Sequence, residues 1–177
     1  MTIHKLILAG FGGQGVMLMG QLIAYAAMYE GKEVTWMPSY GPEMRGGTAN
    51  CSVIVSDKRI SSPLITEATA VVAMNQPSMA KFENMVMPGG KLFINTSLIK
   101  KLPDRNDLEL YQIDANQIAE DLHNEKVSNM VILGAVVRMT GIVSQDSIEK
   151  AMEKLFASNK AILLPLNIKA LTAWRAY

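Results

Sequence analysis

The N-terminal stretch places an apolar strand directly before a glycine-rich turn and an apolar helix, an order that few folds accommodate. Residues 3–9 are rich in strand formers, Gly10-Phe11-Gly12-Gly13-Gln14-Gly15 fits G-x-G-x-x-G, and the apolar helical segment runs to Gly31. In such a unit the first glycine permits a tight turn, the second admits a phosphate, and the third lets helix and strand pack closely. The helix N-terminus behind the glycines attracts anions, so the stretch predicts an α/β fold with an anion-compatible turn.

Strands and helices alternate along the rest of the chain. Further strands are predicted at 33–38, 51–56, 69–74, 91–97 and 109–114, the fifth after the turn signal Pro88-Gly89-Gly90. Helices are predicted over 115–122 with Asp114 as cap, over 127–141 ending at Gly141, from Ser144 to about 157, and over 167–176. The pattern predicts a Rossmann-like, open, mostly parallel sheet with helices on both faces. With 177 residues, 49% of them hydrophobic, we expect one domain over 1–177.

Charge and cysteine content exclude several classes of protein. A net charge of +1 without a basic patch argues against nucleic acid as a partner. The single Cys51 cannot form an internal disulfide or supply the four thiolates of an iron–sulfur cluster, and with only His4 and His123 it cannot build a structural zinc site. We expect Cys51 to be packed in its strand, and both histidines to be structural or exposed. No apolar run approaches the ~20 residues of a membrane span and no signal peptide is apparent, so we expect a cytoplasmic protein.

The glycine turn alone is weak evidence for a dinucleotide. A dinucleotide site also needs an acidic residue at the end of the second strand, to hold the ribose hydroxyl. Here that strand ends Trp36-Met37-Pro38-Ser39-Tyr40, and Glu30 and Glu33 lie before or at its start. This departure disfavours NAD or FAD, and leaves a plain strand-to-helix turn as the structural alternative.

Two other segments are predicted to lie at the same carboxyl edge of the sheet as Gly12–Gly15. One is the loop SYGPEMRGGTAN (39–50), which combines Gly-Pro, a double glycine and the charges of Glu43 and Arg45. The other is Asn75-Gln76, whose amides either bind a ligand or partner, or cap a helix. The loop is alternatively a solvated connection. The 13 methionines either fill gaps in the core or form an adaptable contact surface.

These stretches carry a family resemblance. GFGGQGVMLMGQLIA, SYGPEMRGGTANCSVIVS, AMNQPSMAKF and PGGKLFINTSLI follow one another over about residues 3–99. In this order they resemble the gamma subunit of the 2-oxoacid:ferredoxin oxidoreductases. The loop YGPEMRGGTANC is more similar to the 2-oxoglutarate and branched-chain 2-oxoacid enzymes than to the pyruvate enzymes. The resemblance favours 2-oxoglutarate as the substrate of the complex, with 2-oxoisovalerate next.

The resemblance implies a reaction in which a 2-oxoacid, coenzyme A and oxidised ferredoxin give acyl-CoA, carbon dioxide and reduced ferredoxin. In the family, thiamine diphosphate with magnesium lies between the alpha and beta subunits, and iron–sulfur clusters lie in the beta and delta subunits. The expected partners are therefore alpha, beta and delta subunits, with ferredoxin reached through the complex. This chain is expected to bind no cofactor or metal alone, to have no catalytic residue and to be inactive by itself. When isolated, it has surfaces through which homo-oligomers can form.

The resemblance and the predicted carboxyl edge together give one set of candidate residues for coenzyme A binding or for a subunit interface. We expect docking on another subunit to be its main role, with Arg45 suited to an interface or to a phosphate of coenzyme A. A different reading is a free-standing nucleotide-binding or regulatory domain. The candidate residues are Gly12, Gly13, Gln14, Gly15, Tyr40, Gly41, Glu43, Arg45, Gly46, Gly47, Asn75 and Gln76.

Overall fold

A computed structural model of the chain describes residues 2–39, 48–156 and 161–176. Its strands form one sheet of six, in the order β2-β3-β1-β4-β5-β6. The strands are β1 (Ile3–Phe11), β2 (Glu33–Ser39), β3 (Thr48–Ser56), β4 (Ala68–Ala73), β5 (Val86–Asn95) and β6 (Glu109–Ile113). The α-helices are α1 (Val16–Tyr29), α2 (Gln76–Phe82), α3 (Ala115–Asp121), α4 (Ser128–Thr140), α5 (Gln145–Leu155) and α6 (Leu164–Ala173). Short 3-10 helices cover Glu83–Met85, Glu125–Val127, Ala161–Leu163 and Trp174–Ala176.

Strand direction follows the predicted pattern except at β3. Neighbours β1, β4, β5 and β6 pair in parallel, whereas β3 is antiparallel to both β1 and β2. The predicted α/β class, with a mostly parallel sheet and helices on both faces, is confirmed. The reversal of β3 was not predicted, because an apolar run reports burial and carries no information about strand direction.

The two faces of the sheet are covered unequally. Along β1, Leu6 and Leu8 enter one hydrophobic cluster and Ile7 and Ala9 enter the other, as alternation in a strand requires. The first cluster contains buried residues of α1, α3, α4, α5 and α6, and the second is covered by α2 through Met79 and Phe82.

Several predicted helix ends are confirmed. Gly31 and Gly141, at the ends of α1 and α4, have positive φ angles of 69° and 63°, as residues that end a helix in the left-handed conformation do. Ser144 caps α5, since its Oγ accepts a hydrogen bond from the Ser147 N–H at 3.2 Å. Asp114 stands at the predicted cap position of α3, but its side chain makes no capping hydrogen bond. Its carboxylate instead accepts a hydrogen bond from Ser97 Oγ, which in turn accepts the N–H of Asn116 at 2.9 Å.

Strand boundaries differ from the prediction at β3 and β5. β3 begins at Thr48, three residues inside the predicted loop. The predicted turn Pro88-Gly89-Gly90 lies inside β5, where Ala68 pairs with Val86 but Ala70 pairs with Lys91. Gly89 has φ 74°, and its N–H donates to Asp107 O at 2.8 Å. The turn residues therefore form an irregularity within the strand, because their backbone is bonded across to the segment before β6.

Candidate functional site

The glycine turn between β1 and α1 is held by hydrogen bonds of Gln14. The Gln14 N–H donates to Phe11 O at 3.1 Å, and Gln14 Oε1 accepts the Phe11 N–H at 2.6 Å. Gly13 and Gly15 have φ angles of 98° and 74°, a region that favours glycine. Side chain and backbone of Gln14 therefore close the turn on itself, with glycines at the positions that need a positive φ.

Asn75 joins the turn from the end of β4. Its Nδ2 donates to Gln14 Oε1 at 2.9 Å, and its Oδ1 accepts the Ser78 N–H at 3.0 Å. The side chain is buried, and it both caps α2 and fixes Gln14. The structure thus brings together two of the predicted site residues, from the carboxyl ends of the neighbouring parallel strands β1 and β4.

Asn129, a residue missed at the sequence level, lies against Gly15. A Cβ added at Gly15 would lie 2.2 Å from Asn129 Nδ2, and that amide donates to Gly15 O at 3.4 Å. The third glycine of the motif therefore admits a close approach by the first turn of α4, rather than by the preceding strand. The available sequence signal was an asparagine near the start of the predicted helix 127–141.

Gly10, the first glycine of the motif, also serves close packing. A Cβ there would lie 2.8 Å from Gln14 Oε1 and 3.0 Å from Met74 Cβ. Its φ angle is not positive, so the tight turn depends on Gly13 and Gly15.

The outer surface of the turn is open. Phe11, Gly12 and Gly13 are exposed, and a Cβ at Gly13 would meet no atom within 4 Å. α1 begins after Gly15 without a side-chain cap and without an acidic residue in its first turn. Backbone N–H groups in the first turn of a helix have no partner inside the helix, so they need other acceptors, which side chains, water or a bound group can supply.

The second predicted loop lies largely outside the described residues. Tyr40, Gly41, Glu43, Arg45, Gly46 and Gly47 belong to residues 40–47, of which nothing is described. Its flanks are Ser39 at the end of β2 and Thr48 at the start of β3, and Thr48 pairs with Phe11. Both flanks therefore lie at the edge of the sheet that carries the glycine turn.

Gln76 binds protein backbone. Its Oε1 accepts the N–H groups of Lys100 at 3.1 Å and Lys101 at 3.0 Å, and its Nε2 donates to Lys101 O at 3.1 Å. These bonds fix the segment after β5 against the first turn of α2.

Cys51 is packed rather than reactive. It is 0% exposed, and its Sγ lies 3.5 Å from Val16 O. Burial raises the pKa of the Cys51 thiol to about 12, and the nearby polar groups of the Trp36 indole and the Gly20 backbone offset only part of that effect. A thiol with so high a pKa is not a nucleophile near neutral pH.

The two histidines lie outside the glycine turn, one in β1 and the other after α3. His4 lies near the start of β1 beside a polar cavity of about 80 Å³, where burial and the neighbouring Lys32 charge lower its pKa. His123 is exposed and follows α3 with a φ of 59°. Within residues 2–39, 48–156 and 161–176, no three His, Cys, Asp or Glu side chains are grouped as a metal site would require. None of the helices in this part of the chain combines the length and apolar character of a membrane span.

Comparison with known proteins identifies the family. Residues 5–177 match the family described as pyruvate ferredoxin/flavodoxin oxidoreductase. The chain belongs to this family. It is 38% identical over 149 residues to the 2-oxoglutarate synthase subunit KorC of Methanocaldococcus jannaschii, covering 82% of this chain and 79% of that subunit. It is 36% identical over 168 residues to the ketoisovalerate oxidoreductase subunit VorA of Methanothermobacter marburgensis, covering 94% of this chain and 34% of VorA. The chain thus spans about a third of the length of VorA.

Solved structures of oxoacid:ferredoxin oxidoreductases share the fold of this chain. The gamma subunit of a keto/oxoacid ferredoxin oxidoreductase from Geobacter sulfurreducens matches with a TM-score of 0.81 and 33% identity, over 96% of this chain and 95% of that one. A 2-oxoglutarate:ferredoxin oxidoreductase from Magnetococcus marinus matches with a TM-score of 0.90 over 99% of this chain and 31% of that one, and at 21% identity it shows the fold alone. The resemblance to the gamma subunit is therefore confirmed.

Proposed function

We propose that this chain acts as the gamma subunit of a 2-oxoglutarate:ferredoxin oxidoreductase complex. The observation that carries the proposal is the 38% identity to KorC, which extends over most of both chains. The complex would convert a 2-oxoacid, coenzyme A and oxidised ferredoxin into acyl-CoA, carbon dioxide and reduced ferredoxin. Alpha, beta and delta subunits would supply thiamine diphosphate, magnesium and iron–sulfur clusters. 2-Oxoisovalerate is the second candidate substrate, supported by the 36% identity to VorA.

Within that complex, the carboxyl edge of the sheet would face another subunit. The assignment is supported by the exposed Phe11, Gly12 and Gly13, which offer contact area, and by the start of α1, which has no side-chain cap. Arg45 would add a guanidinium at the same edge. Docking is the main role that we propose, and binding of a coenzyme A phosphate is the alternative.

Purification of the complex from the native host tests the function and the substrate. The tagged chain is expressed in its native host, and the recovered complex is assayed for coenzyme A-dependent reduction of ferredoxin with 2-oxoglutarate, 2-oxoisovalerate and pyruvate. We expect recovery of thiamine-binding and iron–sulfur subunits, with the highest kcat/KM for 2-oxoglutarate. A chain that returns without these subunits would contradict the proposal and favour a free-standing nucleotide-binding or regulatory domain.

The variant Arg45→Ala separates docking from coenzyme A binding. If Arg45 docks, less complex is recovered while the KM for coenzyme A in the remaining complex stays unchanged. If Arg45 binds a phosphate, the complex is intact and this KM rises about tenfold, as loss of a charge-assisted contact does. Arg59→Ala is the matched control, because Arg59 is exposed beyond the end of β3, at the opposite edge of the sheet. An Arg45→Ala complex with normal yield and normal KM would refute both roles.

A further inference from the structure

The longest helix of the described chain has no charged residue. α1 reads VMLMGQLIAYAAMY over 14 residues, with Gln21 as its one amide. Helices on the surface of globular proteins usually carry charged or polar residues on the side facing water. The outward side of α1 departs from that rule, because it holds Met28, which is 59% exposed, and Tyr25, whose ring centre lies 5.1 Å from Lys154 Nζ of α5.

This outward side continues onto strand β2 across a cavity of about 260 Å³. We call this surface the α1–β2 face, and define it by the residues that line the cavity, which are Gln21, Ala24, Tyr25, Met28 and Trp36. Among the described strands β2 lies at the edge of the sheet, with β3 as its one neighbour, so none of them pairs on the other side of Trp36. Aromatic and methionine side chains around a small cavity are typical of the buried centre of a protein interface.

The relatives indicate which polypeptide is available to cover this face. In VorA the matching region is about a third of a longer polypeptide, so the remaining two thirds are its covalent neighbour. In the Geobacter gamma subunit the match covers 95% of the chain, so a contact with such a neighbour would be non-covalent there. An uncharged helix beside an edge strand supplies the apolar surface that such a contact needs.

We therefore infer that the α1–β2 face binds the companion subunit, by which we mean the host polypeptide homologous to the two thirds of VorA that this chain does not match. The inference rests on the proposed function. α1 begins at Val16, directly after Gly15, so a subunit bound along the whole helix also lies beside the glycine turn. Docking on α1 would therefore fix the position of the carboxyl edge relative to the companion subunit.

Coexpression of the tagged chain with the companion subunit tests the inference. Met28→Lys places a cation on the face without opposing the helix dipole, since it lies in the last turn of α1. Ala24→Arg is a second variant, which fills the cavity with a good helix former. Met87→Lys is the matched control, because Met87 is 36% exposed on β5, four strands from β2 and roughly 19 Å away.

We expect both face variants to lower recovery of the companion subunit at least about tenfold, as central interface residues do, and the control to leave it unchanged. Circular dichroism of each purified variant checks that the chain is folded. Normal recovery with both face variants overturns the inference while leaving the proposed function intact. Equal losses with Met87→Lys also overturn it, because the effect would not be specific to this face. Variants that only dissociate a homodimer assign the face to a second copy and overturn it as well. Failure of the unaltered chain to recover the companion subunit refutes the proposed function instead.

Discussion

Gly15 combines two constraints that occur separately elsewhere in the glycine turn. Its φ angle of 74° disfavours any side chain, and a Cβ would lie 2.2 Å from Asn129 Nδ2. Gly13 has a positive φ of 98° but open space around it. Alanine substitutions at Gly13 and Gly15 can therefore be compared to separate the cost of backbone strain from the cost of crowding.

The variant Gly15→Ala is expected to lower the free energy of unfolding by about 3 kcal/mol, which combines strain of ~1–2 kcal/mol with overpacking of ~1–3 kcal/mol. Gly13→Ala is expected to cost about 1–2 kcal/mol, because only the strain applies. Urea unfolding of the purified chains measures both values. Equal losses would show that Asn129 moves away at no cost, contrary to the close contact described here.

At the scale of single residues, the sequence predicts those contacts that follow from the order and direction of the strands. Gln14 and Asn75 meet because the carboxyl ends of neighbouring parallel strands meet, and that rule needs only the strand assignment. The contact of Gly15 with Asn129 spans 114 positions and depends on how α4 packs against α1. No local pattern carries that information, so this part of the site had to come from the structure.

Two helix ends are joined by a compact polar network. Glu30, after α1, accepts the Ser144 N–H at 2.6 Å at the start of α5 and lies 2.8 Å from Lys32 Nζ. Lys32 in turn donates to Ile142 O at 2.7 Å. Burial alone would raise the pKa of Glu30, but the hydrogen bonds from Lys32 and Ser144 outweigh it and lower that pKa to about 2.

The pKa of Glu30 links this network to acid stability. A carboxylate whose folded pKa is about 2, against an ordinary 4.5, stabilises the folded state fully above pH 4.5 and loses that effect as the pH falls towards 2. Glu30→Gln is therefore expected to cost about 1–2 kcal/mol at pH 7, and progressively less below pH 4.5. Thermal unfolding of both chains from pH 7 to pH 2.5 measures the difference.

Glu153→Gln, at an exposed position of α5, is the control for this series and is expected to give a small, pH-independent difference. A Glu30→Gln difference that stays constant down to pH 2.5 would contradict the assignment.

The predicted elements themselves are largely found, because periodicity and end signals are local properties. The predicted helix ends at Gly141 and Ser144 are found in the structure. At α3 the hydroxyl of Ser97, which follows β5, accepts the Asn116 N–H in place of the predicted cap Asp114. The direction of β3 and the bulged start of β5 depend on pairing between strands, which no single segment encodes.

The two faces of the sheet differ in the depth of the layer that covers them. In the described part of the chain the thick face is covered by α1, α3, α4, α5 and α6, and the thin face by α2. α4 has a run of buried residues from Asn129 to Val137, whereas α2 has seven residues and is the α-helix that contributes to the second cluster. Elements with few buried contacts open at lower free energy than the core.

Hydrogen exchange is therefore expected to show α2 opening locally, with rates that scarcely change in dilute urea. Amides of α4 should exchange through global unfolding, with rates that rise steeply with urea. Mass spectrometry of peptides from the two helices makes the comparison. Protection of α2 equal to that of α4 would indicate that the thin face opens only together with the core.

At the scale of the whole molecule, the composition and the order of the motifs were sufficient to predict the fold class and the family, since both depend on many positions at once. The sequence of the second loop, residues 39–50, favours 2-oxoglutarate or 2-oxoisovalerate as the substrate of the complex, and both substrates stay predictions.

The absence of charge on α1 also bears on how the host regulates the amount of this protein. In VorA the matching region is part of a longer polypeptide. Wherever α1 is left uncovered, it exposes an uncharged helix to other newly made chains. We expect proteases to remove chains in which α1 stays uncovered, so that coverage of this helix sets the cellular lifetime of the protein.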